Sequence, residues 1–231
     1  MQPPTRYLLE VCIASVEDAI AAAVGGADRL ELNLALELGG LTPSLGLLAE
    51  VKRAVSLPII AMVRPRAGDF CFSRREQTVM LRDAELLLAH EADGLACGAL
   101  DAQGEIDLAF WSEFIQFAGE RETVFHRAFD ELQNQPRALE ALIELGATRV
   151  LTSGAAATAW EGAEQLAQLA KQANGRIEIL PAAGISAAGV APLVHATGCR
   201  QIHGSFRDPQ SPWPRTSSLR VRAARAALDA I

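Results

Sequence analysis

Eight times along this chain a short apolar run is followed by a longer segment with helical spacing, and that alternation restricts the possible folds more than any other feature. The runs are Leu8–Ile13, Arg29–Asn33, Ile59–Val63, Gly94–Cys97, Thr123–Arg127, Arg149–Thr152, Ile177–Pro181 and Gln201–Gly204. Between and after them the spacing predicts helices over Val16–Gly25, Ser44–Val55, Arg74–His90, Asp107–Gly119, Pro136–Leu145, Ala159–Ala173, Ala187–Ala196 and Arg215–Leu228. Strands separated by helices of this length pair in parallel. Glycine near several helix ends (Gly26, Gly146, Gly198) suits the left-handed turn that returns the chain to the sheet. Eight such units in 231 residues match a single (β/α)8 TIM-barrel-like domain over 1–231, with 208–231 as an extended connection and a final helix. An open doubly wound sheet is the alternative, but no G-x-G-x-x-G follows the first strand. In the segment Asp208–Pro214, Trp213 is expected to act as a packing plug.

Only 5% of the residues are aromatic while half are hydrophobic, so the core must be built from Leu, Val, Ile and Ala. The net charge of -7 supplies no basic stripe for nucleic acid. Arg215 to Arg225 have the spacing of a helix's solvent face. No run approaches the length of a membrane span, and the polar start of the chain lacks a signal-peptide apolar region. The four cysteines, Cys12, Cys71, Cys97 and Cys199, form no C-x-x-C pair, as expected of a reduced cytoplasmic protein. Ala-rich outer helices are compatible with a homodimer.

In a barrel, chemistry collects where strands end. Glu10 and Cys12 share one face of the first strand, and Glu31 and Asn33 one face of the second, with Arg29 below them. Two carboxylates in apolar strands need cationic partners, for which Arg64, His126 and Arg127 are the candidates. Glu10, Glu31, His126 and Asp130 are therefore candidate proton-transfer groups, unless Glu10 and Glu31 belong to a buried ion-pair layer that only closes the barrel. Arg64 and Arg66 flank Pro65 and form a rigid pair suited to a carboxylate or phosphate, unless they pin their own loop to Asp69 and Glu76. Late strand ends add Ser153, Gly154, Gly184, His203 and Ser205, where barrels often hold phosphate, with Arg127 nearby. A small anionic ligand is the expected partner of such a mouth, and the corresponding function is a TIM-barrel enzyme of unassigned reaction acting on a small anionic or phosphorylated metabolite there. His90 and His195 fall at helix ends and read as C-terminal caps. No Lys ends a strand, which argues against a Schiff-base aldolase.

Several blocks together resemble the CutC family. They are Leu9–Cys12, Gly26–Leu32, Gly39–Ser44, Arg64–Phe70, Phe125–Asp130 and Arg149–Gly154, and they span nearly the whole chain. The resemblance implies a TIM-barrel-like fold, a cytoplasmic location, a role in copper homeostasis with copper(I) binding, and self-association in some members. It makes Cys12 a metal ligand. The family commonly places a second Cys two residues beyond the position of Glu31, where this chain has Asn33, and Ala67 stands where the family usually has Gly. One thiolate with an amide is a poor copper(I) pair.

Overall fold

The computed structural model describes residues 6–208, 210 and 215–231. Eight parallel strands, β1 (Leu8–Ile13), β2 (Arg29–Leu32), β3 (Ile59–Met62), β4 (Gly94–Cys97), β5 (Glu122–Phe125), β6 (Arg149–Thr152), β7 (Glu178–Pro181) and β8 (Gln201–Gly204), form one sheet. Hydrogen-bonded neighbours run β7-β6-β5-β4-β3-β2-β1-β8, and β7 lies against β8 to close the barrel. The helices are α1 (Val16–Gly25), α2 (Leu45–Ala54), α3 (Arg74–Ala89), α4 (Leu108–Ala118), α5 (Gln135–Leu145), α6 (Ala163–Ala173), α7 (Val190–Thr197) and α8 (Ser218–Asp229). The fold is a (β/α)8 barrel, as the alternation of the sequence requires. Among the described residues no helix is long and apolar enough to cross a membrane.

Strand parity sorts the interior into two cores. Leu9, Val11 and Ile13 of β1, Leu30 and Leu32 of β2, and Leu95 and Cys97 of β4 face the helices, where they pack with Phe110, Trp111 and Phe114 of α4. The alternate residues point into the barrel. There only Ile60, Met62, Ala96, Val124, Leu151, Leu180 and Ala182 form an apolar cluster. The inward positions of β1, β2 and β8 are polar instead: Glu10, Arg29, Glu31 and His203 are all buried. Apart from buried Arg149 of β6, the barrel is thus lined with hydrocarbon on β3 to β7 and with ionisable groups on the strands beside its closure.

Several element boundaries differ from those the sequence suggests. β5 stops at Phe125, because the His126 side chain accepts the backbone N–H of Ala128 and starts a 3-10 turn over Arg127–Glu131. Arg127 therefore sits on a turn with Asp130, not on the strand. α8 begins at Ser218, because Arg207 pairs with Thr216 in an antiparallel bridge before the helix starts. Arg225 is not on a solvent face. It is buried and donates to the Tyr7 carbonyl at 2.8 Å and to Asp28 at 2.9 Å, fastening α8 under β1. The plug expected at Trp213 lies outside the described residues. α3 starts with a capping box, in which Ser73 accepts from Glu76 N–H and Glu76 from Ser73 N–H. His90 caps the other end, with Nδ1 2.8 Å from the Leu86 carbonyl.

Candidate functional site

Register places the inward charges. Glu10 of β1 sits opposite Arg29 of β2 on one side and His203 of β8 on the other, and Cys12 sits opposite Glu31. Arg29 Nε donates to Glu10 Oε2 in a short buried ion pair, and Arg29 Nη2 donates to Gln201 Oε1 at 3.0 Å. Arg149 Nε donates to the same Gln201 oxygen at 2.8 Å, and its Nη1 to Glu122 at 3.1 Å. These groups close the base of the barrel. The cations of the two carboxylates are therefore not Arg64, His126 or Arg127. Glu10 is held by Arg29 and His203, its register neighbours, and Glu31 by Asn33 and His203.

His203 links base to mouth. Its Nδ1 lies 2.8 Å from Glu10 Oε1, while Nε2 faces Glu31 Oε2 at 4.0 Å. Burial would raise the Glu10 carboxyl, but Arg29 and His203 outweigh it and hold it far below the usual carboxylate range. Burial, with Glu10 adding to it, holds the Glu31 carboxyl above that range against the pull of His203 and Asn33. Burial opposes charge on His203, yet Glu31, Cys12 and Glu10 together raise its imidazolium well above the ordinary value. Asn33 Nδ2 donates to Glu31 Oε2 at 2.8 Å and fixes that carboxylate. The amide is seated beneath Gly40, where a Cβ would stand 2.4 Å from Asn33 Oδ1.

Above this layer opens a cavity of about 420 Å³. Cys12, Glu31, Asn33 and His203 form one part of its wall, and Met62, Arg64, Phe70, His126, Arg127 and Leu151 another. Arg64 is buried and donates only to carbonyls: Leu38 at 3.2 Å, Gly40 at 3.3 Å and Gly68 at 2.8 Å. Its guanidinium stacks 4.7 Å from the Phe70 ring centroid. The His126 ring lies 5.0 Å from Phe70 on centroids, and burial, with Arg64 beside it, pushes its pKa down to about 3. His126 is therefore a neutral imidazole near pH 7.

Other candidates from the sequence have their hydrogen bonds filled by the protein, although Asp130, with neighbouring Glu131, still lines the cavity. Arg66 is no part of the cavity wall; it pins its own loop, with Nε 2.6 Å from Glu76 and Nη2 3.0 Å from Asp69. Asp130 has both oxygens engaged, by Thr152 Oγ1, by Ser153 N–H at 3.0 Å and by Arg127 Nε at 2.8 Å, and so clamps the β5 and β6 loops. Arg127 also donates to Ser153 Oγ at 3.3 Å. The late loops are spent on each other rather than on the cavity. Ser153 Oγ donates to the Ala156 carbonyl, Gly154 packs on Gly162, Gly184 on Thr158, and the Ser205 carbonyl accepts from Thr216. Among the described residues, the Cys/His/carboxylate group close enough to share a metal ion is Cys12, Glu31 and His203, whose donor atoms lie within 4.8 Å of one another. Cys97 faces the helices and burial pushes its thiol up, while Cys71 is exposed in the β3–α3 loop; neither joins Cys12.

Fold and cavity together define a (β/α)8 barrel with a polar, partly ionised pocket at the C-terminal end of its strands. The CutC family model matches residues 7–208, and the chain belongs to the CutC family. A CutC family protein of Treponema denticola is 49% identical over 84% of this chain and 79% of its own length. The human copper homeostasis protein cutC homolog is 41% identical over 97% of this chain and 80% of its own length. Among solved structures, the putative copper homeostasis protein CutC from Streptococcus agalactiae superposes with a TM-score of 0.82 at 29% identity, covering 86% of this chain and 98% of that one. A thiamine phosphate pyrophosphorylase from Pyrococcus furiosus, 13% identical with a TM-score of 0.67, shares the fold alone.

Proposed function

We propose that the barrel mouth binds one transition-metal ion through Cys12 Sγ, His203 Nε2 and a Glu31 oxygen. The observation that carries this reading is the convergence of the three donors within 4.8 Å, with the other nitrogen of His203 already tied to Glu10 at 2.8 Å. A carboxylate on the far side of a ligating imidazole fixes its orientation and raises its basicity, which is the usual outer shell of a metal-bound His. Donors on a four-coordinate zinc stand roughly 3.4–3.6 Å apart from ordinary metal–ligand distances, slightly closer than the 4.0 Å between His203 Nε2 and Glu31 Oε2. A small closure of the two side chains suffices. Binding displaces a proton from His203.

The donor set decides which metal. One thiolate, one imidazole and one carboxylate suit a borderline divalent ion such as zinc, with the remaining position open to the cavity. The human relative's name points to copper. Copper(I) would find a single sulfur here, because Asn33 donates to Glu31 and offers only an amide oxygen. The test is an anaerobic competition titration of the reduced protein against chromophoric chelators, with zinc(II) and with copper(I), beside Cys12→Ser. Stoichiometric zinc binding that weakens by about tenfold or more in Cys12→Ser supports the site. Binding of either ion that is indifferent to Cys12 removes it. Tight copper(I) binding with no zinc binding would restore the copper(I) reading and overturn the choice of metal.

A further inference from the structure

A bare ion needs no cavity of about 420 Å³, and the wall away from Cys12 carries chemistry the metal reading does not use. Arg64 is 6% exposed, and among the described residues no carboxylate stands within ion-pair distance of it. Exposed Glu131 is the acid that acts on it most, from the rim, and Arg66 opposes it. Its three partners are neutral carbonyls, and its Nε–H has no partner among the described residues. His126, 3% exposed, is in the same condition. Its Nδ1 accepts the Ala128 N–H at 3.2 Å, which puts the ring proton on Nε2, and Nε2 has no partner. Phe70 touches both groups, so the two donors share one corner of the cavity. Buried donors without acceptors cost stability, and so does a buried cation without a counter-charge. Both N–H groups are closed to a water-sized molecule in this structure, so an anion relieves these costs when the two side chains turn toward the cavity they line.

We propose that the cavity binds a small organic acid, its carboxylate held at Arg64 and His126 and its apolar body against Met62, Phe70 and Leu151. A carboxylate fits better than a phosphate. The corner offers the Arg64 guanidinium and one neutral imidazole, since Arg127 on the same wall is already paired with Asp130; the Gly154, Gly184 and Ser205 loops that serve phosphate in other barrels are not in the wall, and no helix N-terminus is among the lining residues. The apolar side chains leave room for hydrocarbon next to the charge, as in a typical metabolite pocket. Glu31 on the wall nearer β1, with Asp130 and Glu131 also in the lining, disfavours a second negative group on the same ligand, so the acid is a monocarboxylate.

This site stands whether or not Cys12, Glu31 and His203 bind metal, and the test is arranged to keep the two apart. Chelator-treated full-length protein is titrated by calorimetry with acetate, hexanoate and benzoate, each beside its amide, and with inorganic phosphate. The expected result is that at least one acid binds about tenfold or more tightly than its amide, the margin set by a charge-assisted hydrogen bond. That preference is expected to collapse in Arg64→Gln and in His126→Asn. The second variant keeps an acceptor for the Ala128 N–H, as Asn does at helix starts, and removes the Nε2 donor, so it reports on the site even if Arg64→Gln fails to fold. Acids and amides that bind alike, or not at all, overturn the proposal. So does an acid preference that survives His126→Asn, or phosphate binding tighter than every acid.

Discussion

Replacing Arg29 by Met exposes how the interior charges depend on one another. The side chain of Arg29 is 4% exposed and that of Glu10 2%, so the substitution leaves a buried carboxylate with His203 as its remaining close partner. It also strips one donor from Gln201. Breaking a buried pair from one side costs about 3–5 kcal/mol, and the surviving His203 contact puts this case near the lower end, about 3 kcal/mol. For a chain of this size that is roughly a 6–12 °C fall in Tm. Arg29→Met/Glu10→Gln has no orphaned charge and is expected to recover about half of the loss, giving a coupling energy of about 1–2 kcal/mol. Urea unfolding followed by far-UV circular dichroism at neutral pH measures all three variants. The sign with pH is fixed by the depressed Glu10 carboxyl. Its contribution is present above the ordinary carboxylate range and is lost as pH falls through the folded value. In Arg29→Met that folded value rises, so the gap to the unsubstituted protein narrows in acid. A cost for Arg29→Met below about 1 kcal/mol, or a double variant no more stable than the single, refutes the reasoning.

The His126 ring is expected to stay neutral by NMR titration from neutral pH down through its ordinary range. Because its folded value of about 3 lies below the unfolded one, stability is lost as pH falls from about 6.5 towards 3, and His126→Asn removes that part of the acid sensitivity. Gly98→Ala would put a Cβ 2.4 Å from His126 Nδ1, so it should cost about 1–3 kcal/mol in urea and break the Ala128 contact, seen as a shifted imidazole resonance. Asn33→Cys adds a sulfur beside Cys12 and releases Glu31, and should tighten copper(I) by about tenfold or more in chelator competition. An unchanged affinity would show that the sulfur count does not set metal choice here.

Much of this was legible from parity alone. Alternation along Leu8–Ile13 and Arg29–Asn33 puts Glu10, Cys12, Glu31 and Asn33 on one face, and the barrel interior is where they lie. The partners of the two carboxylates were harder to read, since they depend on register across strands. Arg29 was visible on the correct face but counted as lying below, and His203 meets Glu10 only because β8 closes on β1, 193 residues apart in sequence. Asp130 and Arg66 carry the residue types of a binding site, yet hydrogen bonds consume them, Arg66 within its own loop and Asp130 across to the β6 loop. Charge type marks a candidate; whether its valences are already filled is a property of folded loops. The end of β5 was misplaced for a related reason. His126 continues the apolar run in sequence, but its side chain accepts the N–H two residues on and turns the chain.

The buried charges at the base do not explain themselves as stability. A barrel filled at Glu10, Arg29 and Arg149 with well-packed Leu or Met would be about as stable or more so, since desolvation offsets most of what such pairs return. What hydrocarbon cannot do is hold an imidazole in one orientation. Arg29 fixes Glu10, Glu10 engages Nδ1 of His203, and Nε2 is thereby presented to Cys12 and Glu31 on the cavity side. Asn33 performs the matching task for Glu31. The charge layer at the base is thus the outer shell of the mouth. Neutralising it with isosteric apolar residues should leave a folded barrel whose Cys12, Glu31 and His203 no longer converge.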